Sequence, residues 1–262
     1  MIEDIEGLAS ATNDANKSEL LSETALEYVG ECLNPPRIDE LVQRIDELND
    51  SFPPPAIDSN PQLAELIEPI RDQIPVEYLE APSDLEQVSE ISDVMVNKEQ
   101  LRPEEWQKLS LEERVDVLND LETKIADIEH RPPCPIEVEN LGPVYEMCGE
   151  LQGHMGYHQT DILGNERIVI NTELVGSDDP AYFREVLDTI VHEGRHSYQT
   201  YNLDVRETHT SHGDLTNWQI NRDFMGYQDA DKCGLRAYWM QPLEADARKF
   251  AEDVLSAYQK KL

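Results

Sequence analysis

Apolar side chains recur at intervals of three and four residues through most of this chain, and only short stretches depart from that spacing. The clearest stripe is Tyr182, Phe183, Val186, Leu187, Ile190 and Val191, a spacing that keeps one face of a helix apolar. Asp179-Pro180 just before it supplies an N-cap and a proline at the first helical position. A second helix is predicted from Pro242, with Leu243, Ala247, Phe250, Ala251, Leu255 and Tyr258 inside. A third opens at the capping box Ser110-Leu111-Glu112-Glu113 and carries Leu111, Val115, Leu118, Leu121, Ile125 and Ile128 inward until Pro132-Pro133 stops it. Nearer the start, Ile38, Leu41, Val42, Ile45 and Leu48 mark one amphipathic helix, and Leu20, Leu21, Ala25, Tyr28 and Val29 another. Prolines at 35–36, 53–55 and 75 punctuate this region. Strands are predicted at Ile136-Glu137-Val138, which alternates, and at Arg167–Asn171, a β-branched run after the turn signal Gly164-Asn165. The expected class is α+β: mainly helical, with a small sheet packed over the helix that follows Pro180, preceded by a helical N-terminal region.

Within the 262 residues a soft boundary falls near residue 98, giving an acidic helical region, 1–98, for loading, docking or regulation, and a second domain, 99–262. The first part holds 23 acidic and 5 basic side chains and the second 32 and 16, within a net charge of −34. Phosphate contacts need Lys and Arg, so this balance argues against nucleic acid, and it disfavours anionic membrane surfaces. It suits a cationic partner or substrate, or solubility by self-repulsion. Cys32, Cys134, Cys148 and Cys233 show neither close-pair zinc spacing nor a disulfide framework, which fits a reducing compartment. The first residues are acidic where a signal peptide would be basic, and no apolar run is long enough to cross a bilayer. The expected location is the cytoplasm, or outside it by a specialised secretion system that reads no signal peptide.

The chemistry sits in the stripe's own continuation, Val191-His192-Glu193-Gly194-Arg195-His196. Residues i and i+4 share a helix face, so His192 and His196 offer two imidazoles to one metal while Glu193 lies beside them. Zinc in such a place polarises a carbonyl and acidifies its bound water, and Glu193 takes that water's proton. A third protein ligand is needed. Extension to a third histidine in the metzincin manner fails, because position 199 is Gln and position 202 is Asn. Glu244, in the first turn of the helix from Pro242, is the better candidate. His209 and His212 compete with it from the polar stretch between the two helices, and His154 and His158 stand at even spacing farther upstream. His212 and Tyr238 are the first candidates for stabilising an oxyanion.

Taken together, Thr189–Gln199 and Gln241–Ala247 resemble a group of bacterial and phage zincin-type metallopeptidases, some of them toxin domains. The similarity spans roughly residues 101–255 and is specific only at these two helices. It implies a gluzincin-like centre in which His192, His196 and Glu244 hold zinc and Glu193 is the catalytic base. It also implies a zincin-like domain, and for some members delivery as an effector. One departure stands out: gluzincins place an Asp four residues after the ligand Glu, and here that residue is Arg248. Asp246 and Asp188 are the alternatives for orienting a ligand histidine. In such enzymes an edge strand binds an extended substrate by β-augmentation, and Arg167–Asn171 is the candidate for it.

The leading expectation is therefore a zinc metalloprotease acting on protein or peptide, with a secretion component, chaperone or inhibitor as a further partner. The alternative is an acidic interaction protein whose zincin-like domain is structural or inactive.

Overall fold

The computed structural model describes residues 53–147 and 149–262. The two N-terminal helices expected around Leu20–Val29 and Ile38–Leu48, with Cys32 and Cys148, lie outside the described residues. The chain forms two compact units: one ends at Glu80 and also takes in Val205–Thr208, and the other comprises Ala81–Asp204 and His209–Leu262.

In the first unit, α1 (Pro61–Ile67) leads into 3-10 turns at Glu68–Gln73 and Val76–Tyr78. Ile57, Leu63, Ile67, Ile74 and Leu79 form its core. Glu207 is stitched to the chain beside it: its carbonyl accepts from the N–H of Ala56, and its N–H donates to the carbonyl of Pro54, both at 2.9 Å. Arg206 lies over the Tyr78 ring at 4.5 Å.

The second unit carries the α+β fold. Its helices are α2 (Asp84–Asn97), α3 (Pro103–Trp106), α4 (Leu111–Ile128), α5 (Thr172–Gly176), α6 (Pro180–Asp204), α7 (His212–Gln219), α8 (Ala230–Cys233), α9 (Leu235–Met240) and α10 (Pro242–Lys261). Five strands lie between α4 and α5: β1 (Ile136–Glu139), β2 (Tyr145–Met147), β3 (Glu150–Gln152), β4 (Gly156–Thr160) and β5 (Glu166–Asn171). β2 and β3 form a separate hairpin. The main sheet has the order β1-β5-β4, with β1 parallel and β4 antiparallel to β5.

Local chemistry sets the helix ends. The Asp179 carboxylate accepts from the N–H of Ala181 at 2.8 Å, opening α6 as an N-cap should. Ser110 and Glu113 complete the expected capping box of α4. The stripes then decide the packing: Phe183, Val186, Leu187, Ile190 and Val191 of α6, and Phe250, Ala251, Val254, Leu255 and Tyr258 of α10, enter one core with Ile168 and Ile170 of β5. Each such side chain contributes roughly 1.5–3 kcal/mol on burial, against about 0–1 for an exposed ion pair. Apolar contact, more than surface charge, therefore fixes α6 against α10.

Three expectations need correction. The boundary falls at Glu80/Ala81, well before residue 98, because α2 buries Ile91 and Met95 in the core of the second unit and packs along α10 and α4. Leu111 is exposed; Arg114 takes the inward position and donates to the carbonyls of Val175 and Ser177, both at 2.8 Å. Arg167–Asn171 lies within β5, the central strand, with partners on both sides, so it has no free edge to offer a peptide.

Candidate metal centre

The first turn of α10 lies against α6 where His192 and His196 emerge. Glu244 is 1% exposed there and meets both rings: Oε2 lies 3.4 Å from His192 Nε2 and Oε1 lies 3.2 Å from His196 Nε2. The two Nε2 atoms are 3.2 Å apart. Donors held about 2.0–2.1 Å from a tetrahedral zinc stand about 3.3–3.4 Å from one another, so these three spacings match the edges of one coordination tetrahedron. Oε2 of Glu244, moreover, is buried with no well-formed hydrogen bond, its neighbour being His192 Nε2 at 3.4 Å, a costly condition for a carboxylate oxygen that a metal ion would relieve. Two imidazoles, a carboxylate and this spacing fit zinc.

The electrostatics favour a cation between these donors. Burial pushes the Glu244 carboxyl up, but hydrogen bonding with His192 and His196 outweighs it and holds the group well below the usual carboxylate range. Burial likewise disfavours charge on His196, yet Glu244 and Glu193 raise it to about 9.

Gln199 sets the tautomer of His196. Its Nε2 donates to the Leu243 carbonyl at 3.0 Å and to Asp246 at 2.8 Å, which leaves Oε1 to face His196 Nδ1, also at 2.8 Å. Nδ1 must then be the donor, which turns Nε2 toward His192 and Glu244. Asp246 thus orients His196 through Gln199. Arg248 takes no part: it stacks on Trp239 and donates to that residue's carbonyl. Asp188 sits one turn before His192, and its carboxyl is pushed up chiefly by burial.

The residues between the motif's outer positions have structural tasks. A Cβ on Gly194 would come 3.2 Å from Arg131 Nη2, where Arg131 forms a buried pair with Glu122. Arg195 is fully buried, bonds Asp246 and Asp84 at 2.9 Å each, and lies over the rings of Phe250, Tyr198 and Trp218. It ties α6 to α10 and α2.

Glu193 points toward the sheet edge, where Oε2 accepts the main-chain N–H of His158 on β4 at 2.8 Å. On the other side stand two tyrosines. Tyr227 donates to Glu244 Oε1 at 2.5 Å, and Tyr238 lies edge-on to Tyr227 with centroids 6.2 Å apart. Burial, followed by the Glu244 carboxylate, pushes both phenols above their usual range, so both keep their protons at neutral pH.

His192, His196, Glu193, Glu244 and Tyr238 are thus brought together. His212 is not: it is exposed in the first turn of α7, whose N-cap, Ser211, directs it outward. His209 is buried, 3.1 Å from the Tyr198 hydroxyl and packed on Trp218. With Asp84 and Asp214 it forms another group of metal-capable atoms, but Arg195 already supplies the positive charge beside Asp84. His154 is exposed ahead of β4. Sequence reasoning missed Gln199 and Tyr227. Gln199 had a signal in its i+3 spacing from His196; Tyr227 had none.

No family model, curated protein or solved structure matches this chain.

Proposed function

We propose that the protein is a zinc-dependent peptidase of the zincin kind, with His192, His196 and Glu244 as ligands and Glu193 as general base. The observation that carries this reading is the matched spacing of 3.2–3.4 Å among three donors from two helices. A bound zinc would supply Lewis acidity toward a substrate carbonyl and lower the pKa of a water. Glu193 takes that water's proton on its carboxylate and returns it to the departing amine nitrogen. Tyr238 donates its hydroxyl hydrogen to the oxygen that gains charge as the carbonyl is attacked. Gln199 keeps His196 in the tautomer that leaves Nε2 free.

The substrate runs along β4, which replaces Arg167–Asn171 as the strand available for main-chain pairing. β5 covers one side of β4, and on the other the His158 N–H meets Glu193. An extended chain there brings its carbonyls past the base whatever its sequence. The net charge of −34 favours cationic peptides in the approach. A location outside the cell, reached by a specialised secretion route, is compatible with this activity; among the described residues no helix is long and apolar enough to cross a membrane.

The test is hydrolysis of a mixed peptide library by purified protein, with termini read by mass spectrometry. Cleavage that a strong zinc chelator abolishes and added zinc restores is the expected result. No cleavage by the zinc-loaded protein, or cleavage indifferent to the chelator, removes the proposal.

A further inference from the structure

The β1-β5-β4 sheet gathers a second set of donors on the face it turns to α6. Ile168 of β5 pairs with His158 of β4 and with Ile136 of β1. Alternation then places Glu166, two residues before Ile168, and Cys134, two before Ile136, on the same face as His158. The contacts agree. His158 Nε2 lies 3.1 Å from Glu166 Oε2, and one ligand atom from each of Cys134, His158 and Glu166 falls within 4.8 Å of the others.

We propose that Cys134, His158 and Glu166 form a second metal site, selective for a zinc-class divalent ion and separate from the His192 centre. A thiolate, an imidazole and a carboxylate are the donor set of such borderline ions, and three protein ligands leave room for water as a fourth. The nitrogen-to-oxygen spacing of 3.1 Å is close to a tetrahedral edge of about 3.3 Å. Ser197 on α6 donates to Glu166 Oε2 and holds the carboxylate in place. The Cys134 residue is buried, whereas the side chains of His158 and Glu166 are 9% and 22% exposed, so an ion has a way in beside Glu166.

The charges nearby include the Arg131 guanidinium as well as the Glu122 carboxylate. Burial, with the nearby carboxylates of Glu122 and Glu166, pushes the Cys134 thiol up to about 12. Metal binding would therefore release that proton, and affinity would rise with pH. The site has structural reach: the residue that supplies the imidazole also supplies the N–H that holds Glu193. An ion here pins β4 to β5 and to the end of β1 at the level of the catalytic base.

The proposal does not depend on the peptidase reading, because the two sites differ in donor chemistry and only this one has a thiol. Full-length protein, stripped with a chelator and titrated with Co²⁺, separates them. The expected result is one equivalent that brings a thiolate-to-cobalt charge-transfer band in the near ultraviolet, whether or not the His192 centre fills. Cys134→Ser should abolish the band and remove one equivalent, while His196→Ala leaves the band intact. Should Cys134→Ser fail to fold, Glu166→Gln keeps the volume of the site, and loss of one equivalent together with its band is expected of it. A saturated wild-type protein without the band overturns the proposal, as does a band of full strength in Cys134→Ser or in Glu166→Gln.

Discussion

The main-chain N–H of His158 donates to Oε2 of Glu193 at 2.8 Å, so the glutamate proposed as general base is fixed by the backbone of β4, the strand proposed to bind substrate. A main-chain donor is indifferent to whether its acceptor is a carboxylate or a carboxamide oxygen. Glu193→Gln should therefore keep its place and keep bound metal while losing the ability to take a proton. Hydrolysis should fall by about 10²–10⁴-fold or more, measured as peptide turnover beside metal content. Near-wild-type turnover in this variant would show that Glu193 is not the base.

Gln199 connects His196 to Asp246. Replacing it by Ala frees the imidazole to rotate and to change tautomer, and outer partners of this kind are worth about 10–100-fold in metal affinity. Competition against a chelating dye should show that loss at the His192 centre, with the cobalt–thiolate band unchanged. Unaltered affinity would mean that the packing of α6 alone orients the ring.

The two tyrosines should separate kinetically. Tyr227 contacts the ligand Glu244, so Tyr227→Phe should weaken metal binding. Tyr238→Phe should leave metal in place and lower kcat by about 10²–10³-fold with little change in KM, as loss of an oxyanion donor does. Equal effects of both variants on metal content would assign Tyr238 to the ligand shell instead.

Gly156 opens β4 where the strand crosses α6. A Cβ there would stand 2.6 Å from Thr189 Cγ2 and 2.6 Å from the Val169 carbonyl oxygen, the latter on the backbone of the neighbouring strand. Gly156→Ala must push β4 away from one or both. A stability loss of about 1–3 kcal/mol is expected, together with reduced turnover, since the same strand holds Glu193. Chemical denaturation measures the first; an unchanged midpoint would show that β4 yields freely.

Glu129 supplies a pH dependence. It is completely buried beside Arg131, and burial, working against the Arg131 charge, raises its carboxyl from 4.5 to about 7. The folded state thus holds a proton that the unfolded chain has lost above about 4.5. This contribution to stability is fully present below that pH and declines as pH rises through about 7. Glu129→Gln should flatten the stability profile over that window, and a profile of unchanged slope would place the titration elsewhere.

The local features of this site were legible along the chain because they depend on short spacings. Helix periodicity fixed α6 and α10, Asp179 and Pro180 fixed where α6 begins, and the four-residue step put His192 and His196 on one face. The positions of β1 and β5 were legible too, from alternation, β-branched residues and a turn signal, whereas β2, β3 and β4 carried no such signal. Strand order was not legible: a run such as Arg167–Asn171 looks the same at the edge of a sheet as at its centre, where Ile168 and Ile170 are in fact buried on both flanks.

What the sequence by itself determined is the set of groups that one helix can present, namely two imidazoles and a glutamate in fixed relation. The tertiary structure decided what meets them. Glu244 reaches the histidines because apolar faces lock α10 to α6, Gln199 finds Asp246 across that same junction, and β4 rather than β5 borders Glu193. Cys134, His158 and Glu166, scattered over 33 positions, share one face only because three strands pair in a particular register. Pairing register and helix docking are settled by burial summed over the whole unit, and no local window of sequence contains that sum.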